Sequence, residues 1–382
     1  MKSSDSAKAK TRSLGGHLRT GLIFIAVIAW FVWMIFPPME TLNYKKYDVQ
    51  THHELEMPFI SFPDVGPRPV IAFSADGQSA AYLAIETGSA DDDLTSHIQV
   101  IDVKTASPIG GPFGITDSPT PPEIVFSIDG DFLAASGASE VRVWDLRDAR
   151  LVTTISLPSV RLQSRRYVAI SPGGKLVATS IQEDGMDPAL WVFDTETGNR
   201  LREMERTLGT ANDQRFVFHP TENQLIGTGD SESGGTLLCV WDIETGKVTR
   251  EMLAADNCQT LGFAYSSNLD RIAIAMYHGS REYRPFSTAI FELDSWGQVI
   301  DINNEDFVFW LAFSPDGSQI ALVDASATAS IWSATSGVRL QNLNLGPQGA
   351  TTFASDDGAL QLVKNSKNKP NVVQLLTLRA SE

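Results

Sequence analysis

Seven times along the chain, an apolar residue leads into a small polar residue, then a turn carrying Asp and Gly, then a short apolar run. The copies open at Phe73-Ser74-Ala75-Asp76-Gly77, Phe126-Ser127-Ile128-Asp129-Gly130, Ile170-Ser171-Pro172-Gly173-Gly174 and Phe218-His219-Pro220. They continue with a looser copy from Phe263 to Asp270, then Phe313-Ser314-Pro315-Asp316-Gly317 and Phe353-Ala354-Ser355-Asp356-Asp357-Gly358. The lead residues are 40 to 53 apart. A fixed period of this size means that each copy is one small supersecondary unit, which buries its faces only by stacking on its neighbours.

The second half of each copy is regular too. An apolar strand ends in Asp, as in Val141-Arg142-Val143-Trp144-Asp145, Leu190-Trp191-Val192-Phe193-Asp194 and Leu238-Cys239-Val240-Trp241-Asp242. Two of these run into tight turns, Asp194 to Gly198 and Asp242 to Gly246, and Ser330-Ile331-Trp332 with Ser336-Gly337 is a degraded version. Pro-Asp-Gly and Thr-Gly supply the preset φ and the positive φ that hairpin turns require. Val, Ile, Phe and Trp suit pleated strands. The runs are apolar on both faces, as expected where every sheet lies between two others. No stretch after residue 40 carries the 3.6-residue period of a long amphipathic helix.

These residues, with the Trp-Asp pairs at Trp144-Asp145 and Trp241-Asp242, resemble WD-repeat propellers across about residues 54 to 378. The resemblance implies an all-β fold, a seven-bladed β-propeller, with a binding rather than a catalytic role. The Gly-His pair that precedes each blade in that family is absent, so its buried hydrogen-bond network is not carried over. A ring must close or its end blades expose strand edges. The last copy is one strand short, so residues 54–62 are expected to pair with 372–378, with Pro58 tolerated on an outermost strand.

The amino-terminal end is different. Residues 21–39 carry no charge and include Leu22, Ile23, Phe24, Val27, Trp30, Phe31 and Trp33. A helix rises about 1.5 Å per residue, so a run of this length just crosses a hydrocarbon core of about 30 Å. A cleaved signal peptide is the alternative; it needs small residues after the apolar run, and Phe36, Pro37, Pro38 and Met39 follow instead. Lys2, Lys8, Lys10, Arg12 and Arg19 outnumber Asp5 ahead of the span, which places the amino terminus in the cytoplasm. The expected organisation is a tail over 1–20, a single N-terminal transmembrane helix over 21–39, a linker over 40–53 and the propeller over 54–382. The propeller would then lie outside the cytoplasm, on the periplasmic side of a bacterial inner membrane.

Net charge is −16. Five basic residues and one acid fall within the first 39 positions, so the remainder carries −20. A domain this acidic is repelled by phosphate backbones, which excludes nucleic acid as the expected partner. Two cysteines, Cys239 and Cys258, do not make a disulfide framework.

Function on a repeat scaffold lives in loops held by rigid strands. The tight turns fall at one end of each unit. The long connections fall at the other end, among them 86–96, 182–189, 230–236 and 278–287 within units and 106–122, 158–166, 205–214 and 343–350 between them. The richest holds Tyr277, His278, Arg281, Tyr283, Arg284 and Phe286, and Tyr and Arg are favoured at interface hot spots. These six residues are the candidate contacts for a protein or peptide partner. Asp91, Asp92 and Asp93 with Glu86 offer oxygen ligands for calcium but lack a defined loop spacing. His52 and His53 point apart in an extended chain, so they and Glu54 and Glu56 read as polar surface. No metal site, cofactor or catalytic residue is assigned, since nucleophile-elbow, zinc and phosphate-loop motifs are all absent. Lactonase-like and quinoprotein-like enzymes and small-ligand sensors share this architecture and are the alternatives.

Overall fold

The computed structural model describes residues 47–380 apart from 57–58, 63–65, 88–93, 116–121, 138, 159–165, 182–188, 206–214, 232–233, 267, 280–284, 315, 327, 345–349, 354–359 and 366–371. The chain enters through β1 (Tyr47–Glu56) and a short hairpin, β2 (Phe59–Phe62) with β3 (Gly66–Pro69). Blade one is β4 (Ile71–Phe73), β5 (Ser79–Thr87), β6 (Leu94–Asp102) and β7 (Pro108–Gly114). Blade two is β8 (Ile124–Phe126), β9 (Phe132–Ser136), β10 (Glu140–Asp145) and β11 (Arg150–Ser156). Blade three is β12 (Val168–Ile170), β13 (Leu176–Ile181), β14 (Ala189–Asp194) and β15 (Arg200–Met204). Blade four is β16 (Phe216–Phe218), β17 (Gln224–Asp230), β18 (Thr236–Asp242) and β19 (Val248–Ala255). Blade five is β20 (Gln259–Ser266), β21 (Arg271–Tyr277), β22 (Phe286–Glu292) and β23 (Gly297–Asn304). Blade six is β24 (Val308–Phe313), β25 (Gln319–Asp324), β26 (Thr328–Ser333) and β27 (Arg339–Asn344). A closing sheet follows: β28 (Ala350–Phe353), β29 (Leu360–Asn365) and β30 (Val372–Ala380), with β1 as its fourth strand.

Every pairing is antiparallel, so successive turns alternate between the two ends of each sheet. The first strands of neighbouring sheets pack on one another, β4 on β8, β8 on β12, β12 on β16, β20 on β24 and β24 on β28. The lead residues of the sequence repeat, Phe73, Phe126, Ile170, Phe218, Phe313 and Phe353, end these innermost strands, and Phe263 lies within β20.

The cores lie between sheets. Ile98 and Leu133 share one, Ile155 and Val177 the next, Leu190 and Trp241 another. Leu238 meets Phe291, Ile290 meets Ile320, Ile331 meets Leu376, and Leu375 meets Ile101. Each sheet is therefore buried on both faces, which explains strands such as β9 (Phe-Leu-Ala-Ala-Ser) that are buried throughout. Burying one such side chain contributes on the order of 1.5–3 kcal/mol. Trp241, 1% exposed, also donates its Nε1–H to the Glu205 carbonyl at 2.8 Å, binding blade four to the end of blade three.

The turns use two recurring devices. After the first strand, Ser74 Oγ donates to Asp76 Oδ1 and accepts from the Ser79 amide, and Ser127–Asp129 and Ser314–Asp316 repeat the arrangement. Blade four substitutes His219, whose Nδ1 accepts the Glu222 amide at 2.9 Å. After the third strand, Asp102, Asp194 and Asp242 each accept from the amide and hydroxyl of a Thr three residues on.

The fold class expected from the sequence, a seven-bladed β-propeller preceded by a transmembrane helix, is corrected. Six blades are built from consecutive strands, and the remaining sheet is assembled from both ends of the chain. The closing strand also differs. Glu54, Leu55 and Glu56 face Gln374, Val373 and Val372 as expected, but the strand reaches back to Tyr47, and Phe59–Phe62 turns away into its own hairpin. Residues 21–39 lie outside the described residues. Among the described residues the only helical segment is one 3-10 turn, Pro172–Gly174, and no helix is long and apolar enough to cross a membrane. The single-pass placement, with its cytoplasmic tail and periplasmic propeller, has no support among the described residues.

Candidate functional site

The 277–286 connection joins β21 to β22, and its base is fixed by strand register. Tyr277 faces Phe286 and Met276 faces Ser287. Successive side chains alternate between the two faces of a sheet. One face of this hairpin end therefore carries Tyr277 and Phe286, and the other carries Met276, His278, Ser287 and Ala289. His278 N–H donates to the Pro285 carbonyl at 2.7 Å and closes the base.

On the first face, the Tyr277 and Phe286 rings lie 5.3 Å apart, and Phe286 meets Phe307 edge-on at 6.1 Å. Phe307 leads into β24, so this aromatic group bridges blades five and six. All three rings are half-buried. The Phe307 amide and the Ser326 hydroxyl donate to the Asp306 carboxylate at 2.7 and 2.5 Å. Burial pushes the nearby Asp324 carboxyl up, and the charges of Asp306 and Glu305 push it the same way. Glu305 is largely exposed and pairs with Arg339 at 3.1 Å. The aromatic group thus sits beside a carboxylate-rich turn.

On the second face lies a cavity of about 130 Å³ between blades four and five. It is lined by Ala254 and Ala255 from β19, Met276, His278, Ser287 and Ala289 from the hairpin, and Gln298 and Asp301 from β23. His278 Nε2 and Ser287 Oγ are hydrogen-bonded at 2.7 Å. Ser287 and Met276 are buried, whereas Gln298 and Asp301 are exposed at the mouth.

Of the six residues expected at the site, Tyr277, His278 and Phe286 are brought together at the base, on two faces. Arg281, Tyr283 and Arg284 lie outside the described residues, as do Asp91, Asp92 and Asp93. His53 lies in β1 with Nε2 bonded to the Lys104 carbonyl at 2.8 Å. Among the described residues no group of three or more His, Cys, Asp and Glu is gathered for a metal ion. Cys239 and Cys258 are both buried free thiols. Sequence reasoning missed Met276, Ser287, Asp301 and Phe307. Strand alternation places Ser287 with Met276 once Tyr277 is known to face Phe286, but that register is not written in local composition.

No family model matches the chain. A WD repeat-containing protein from Arabidopsis thaliana, VIP3, is 30% identical over 156 residues, 37% of this chain. The aligned part spans 45% of that protein, less than half its length. Among solved structures, a chain of Kuenenia stuttgartiensis hydrazine synthase superposes with a TM-score of 0.60 at 16% identity, over 88% of this chain and 99% of that one. A chain of a mitotic checkpoint complex gives 0.63 at 14% identity, over 91% and 96%. At these identities the structural likeness speaks for the fold alone. Sheet topology makes this chain a β-propeller, similar to a WD-repeat protein over 37% of its length.

Proposed function

We propose that the protein is an interaction scaffold, a binding module rather than a catalyst, which captures a protein or peptide partner at the base of the 277–286 connection. The observation that carries this reading is the aromatic group Tyr277, Phe286 and Phe307, half-exposed on a rigid two-blade platform beside Asp306 and Glu305. Aromatic side chains anchor interfaces because they bury large area at small entropic cost. The likeness to a WD repeat-containing protein over 37% of the chain supports reading it as a repeat scaffold that presents loops to a partner.

The test places a photocrosslinking amino acid at position 286, and in a control at Glu196 in a tight turn, on the full chain. The partner captured from position 286 should be absent from the control. With the crosslinker kept at position 286, Tyr277→Ala combined with Phe307→Ala should weaken its capture at least tenfold with little change in thermal unfolding. Undiminished capture by the double variant would refute the assignment.

A further inference from the structure

We propose that the group this aromatic surface captures is an arginine side chain of the partner. The inference rests on the docking reading above for where the partner lies, and adds the chemistry the partner must present there. An aromatic ring has a negative face and a positive edge, so an exposed ring attracts a cation through its face. Tyr277, Phe286 and Phe307 are half-buried, and the 71° angle between Phe286 and Phe307 turns their faces in different directions. Acidic groups gather beside them. Glu305 and Asp306 directly precede Phe307, and Ser326 Oγ, donating to Asp306 at 2.5 Å, brings the β25–β26 turn and Asp324 to the same place. Burial pushes the Asp324 carboxyl up most, and the charges of Asp306 and Glu305 add to it, so the three share one negative field. Among the described residues Arg339, 3.1 Å from Glu305, is the cation paired with them. The chain carries −16, so a basic segment is also attracted before it docks.

Arginine fits better than lysine. A planar, weakly hydrated guanidinium lies flat on a ring while its fork reaches a carboxylate at the ring's edge, whereas an ammonium is a compact, strongly hydrated point charge. The chain uses this combination on itself. Arg339 bonds Glu305 and lies over the Trp332 ring, 5.6 Å from its centre. Arg147 lies 5.0 Å over the Phe132 ring and makes two side-chain bonds to Asp145, at 3.1 and 2.8 Å. Phe307 and Asp306 are the matching ring and carboxylate on the docking surface. A carboxylate offers about four acceptor sites, so Asp306 can take a guanidinium alongside the Phe307 amide and the Ser326 hydroxyl.

N-acetyl-arginine amide is the probe. It is titrated into the full chain carrying 4-fluorophenylalanine at position 286, and the fluorine resonance is followed. The signal should shift saturably. The citrulline counterpart, similar in shape and uncharged, should bind at least tenfold more weakly, and the lysine counterpart at least threefold more weakly. Glu305 is exposed, and Glu305→Gln should weaken the arginine probe about two- to fivefold. An unmoved signal, equal binding of citrulline or lysine, or full affinity in Glu305→Gln overturns the assignment. Binding that emerges only when Arg281 and Arg284 are replaced by Gln overturns it too, because the chain's own connection is then the occupant. Partner capture at position 286 separates this from the docking reading. Capture undiminished in the Tyr277/Phe307 variant removes the surface itself. Capture lost in that variant but unchanged by Glu305→Gln leaves the surface standing and rejects arginine as what it holds.

Discussion

At the residue scale, the turns rest on single carboxylates. Asp194 accepts from the Thr197 hydroxyl and amide, both at 2.7 Å, and these bonds hold its carboxyl below the usual carboxylate range, the hydroxyl contributing most. A carboxylate whose folded pKa is depressed adds stability above its unfolded pKa of about 3.9 and loses it as pH falls through the folded value. Asp194→Asn should therefore lower the thermal midpoint at neutral pH and narrow its gap to wild type in strong acid. A gap independent of pH would show that the charged form is not what the turn uses. The turn itself was legible, because Asp-Thr-Glu-Thr-Gly is turn chemistry wherever it occurs. His219 was not: it stands where other copies have Ser, and only the structure shows its Nδ1 taking over as acceptor. The candidate site divides the same way. Tyr277, His278 and Phe286 could be picked out by composition, whereas Ser287 and Asp301 acquire meaning from a cavity shared by two blades.

At the scale of elements, each outer strand carries an extra residue against its neighbour. Val192 faces Arg202 and Phe193 faces Arg200, which leaves Leu201 bulged. The same shift leaves Thr249 bulged against Val240 and Trp241, and Val299 against Ile290 and Phe291. A bulge raises local twist and bends the strand. Beside the bulges, Thr153, Arg202 and Ile300 of three outer strands lie against the tight-turn glycines Gly198, Gly246 and Gly337 of the following blades. Gly246 shows the contact: its amide donates to the Asp242 carbonyl at 2.8 Å with the residue at φ +74°, and a Cβ there would lie 2.7 Å from the Glu203 carbonyl of blade three. Gly246→Val should cost about 1–3 kcal/mol, read as a lower urea midpoint at unchanged slope. A neutral substitution would mean that blades three and four do not meet there. The glycine was legible as a turn residue. The bulges were not, since an inserted residue in a strand leaves no signal in single-sequence periodicity.

At the scale of the whole molecule, the repeat dictates a ring of similar sheets, and the inter-sheet cores show why: no sheet has a solvent face on which to alternate polar residues. What the sequence hid is the closing strand. Residues 47–53 read as a polar linker because an outermost strand needs only scattered apolar contacts, such as Leu55 against the Leu375 core. Of the run 54–62 expected to pair with 372–378, Phe59–Phe62 instead forms a local hairpin with Gly66–Pro69. Both the placement of the long connections and the docking surface depend on the ring being closed by β1 on β30. Amide hydrogen exchange on the full chain tests this most directly. The amides of 47–56 that point toward β30 should be protected to the same degree as their partners in 372–380, because each strand supplies the other's hydrogen-bond partners. Exchange of 47–56 at open-chain rates beside a protected 360–365 would show an open ring and contradict the account.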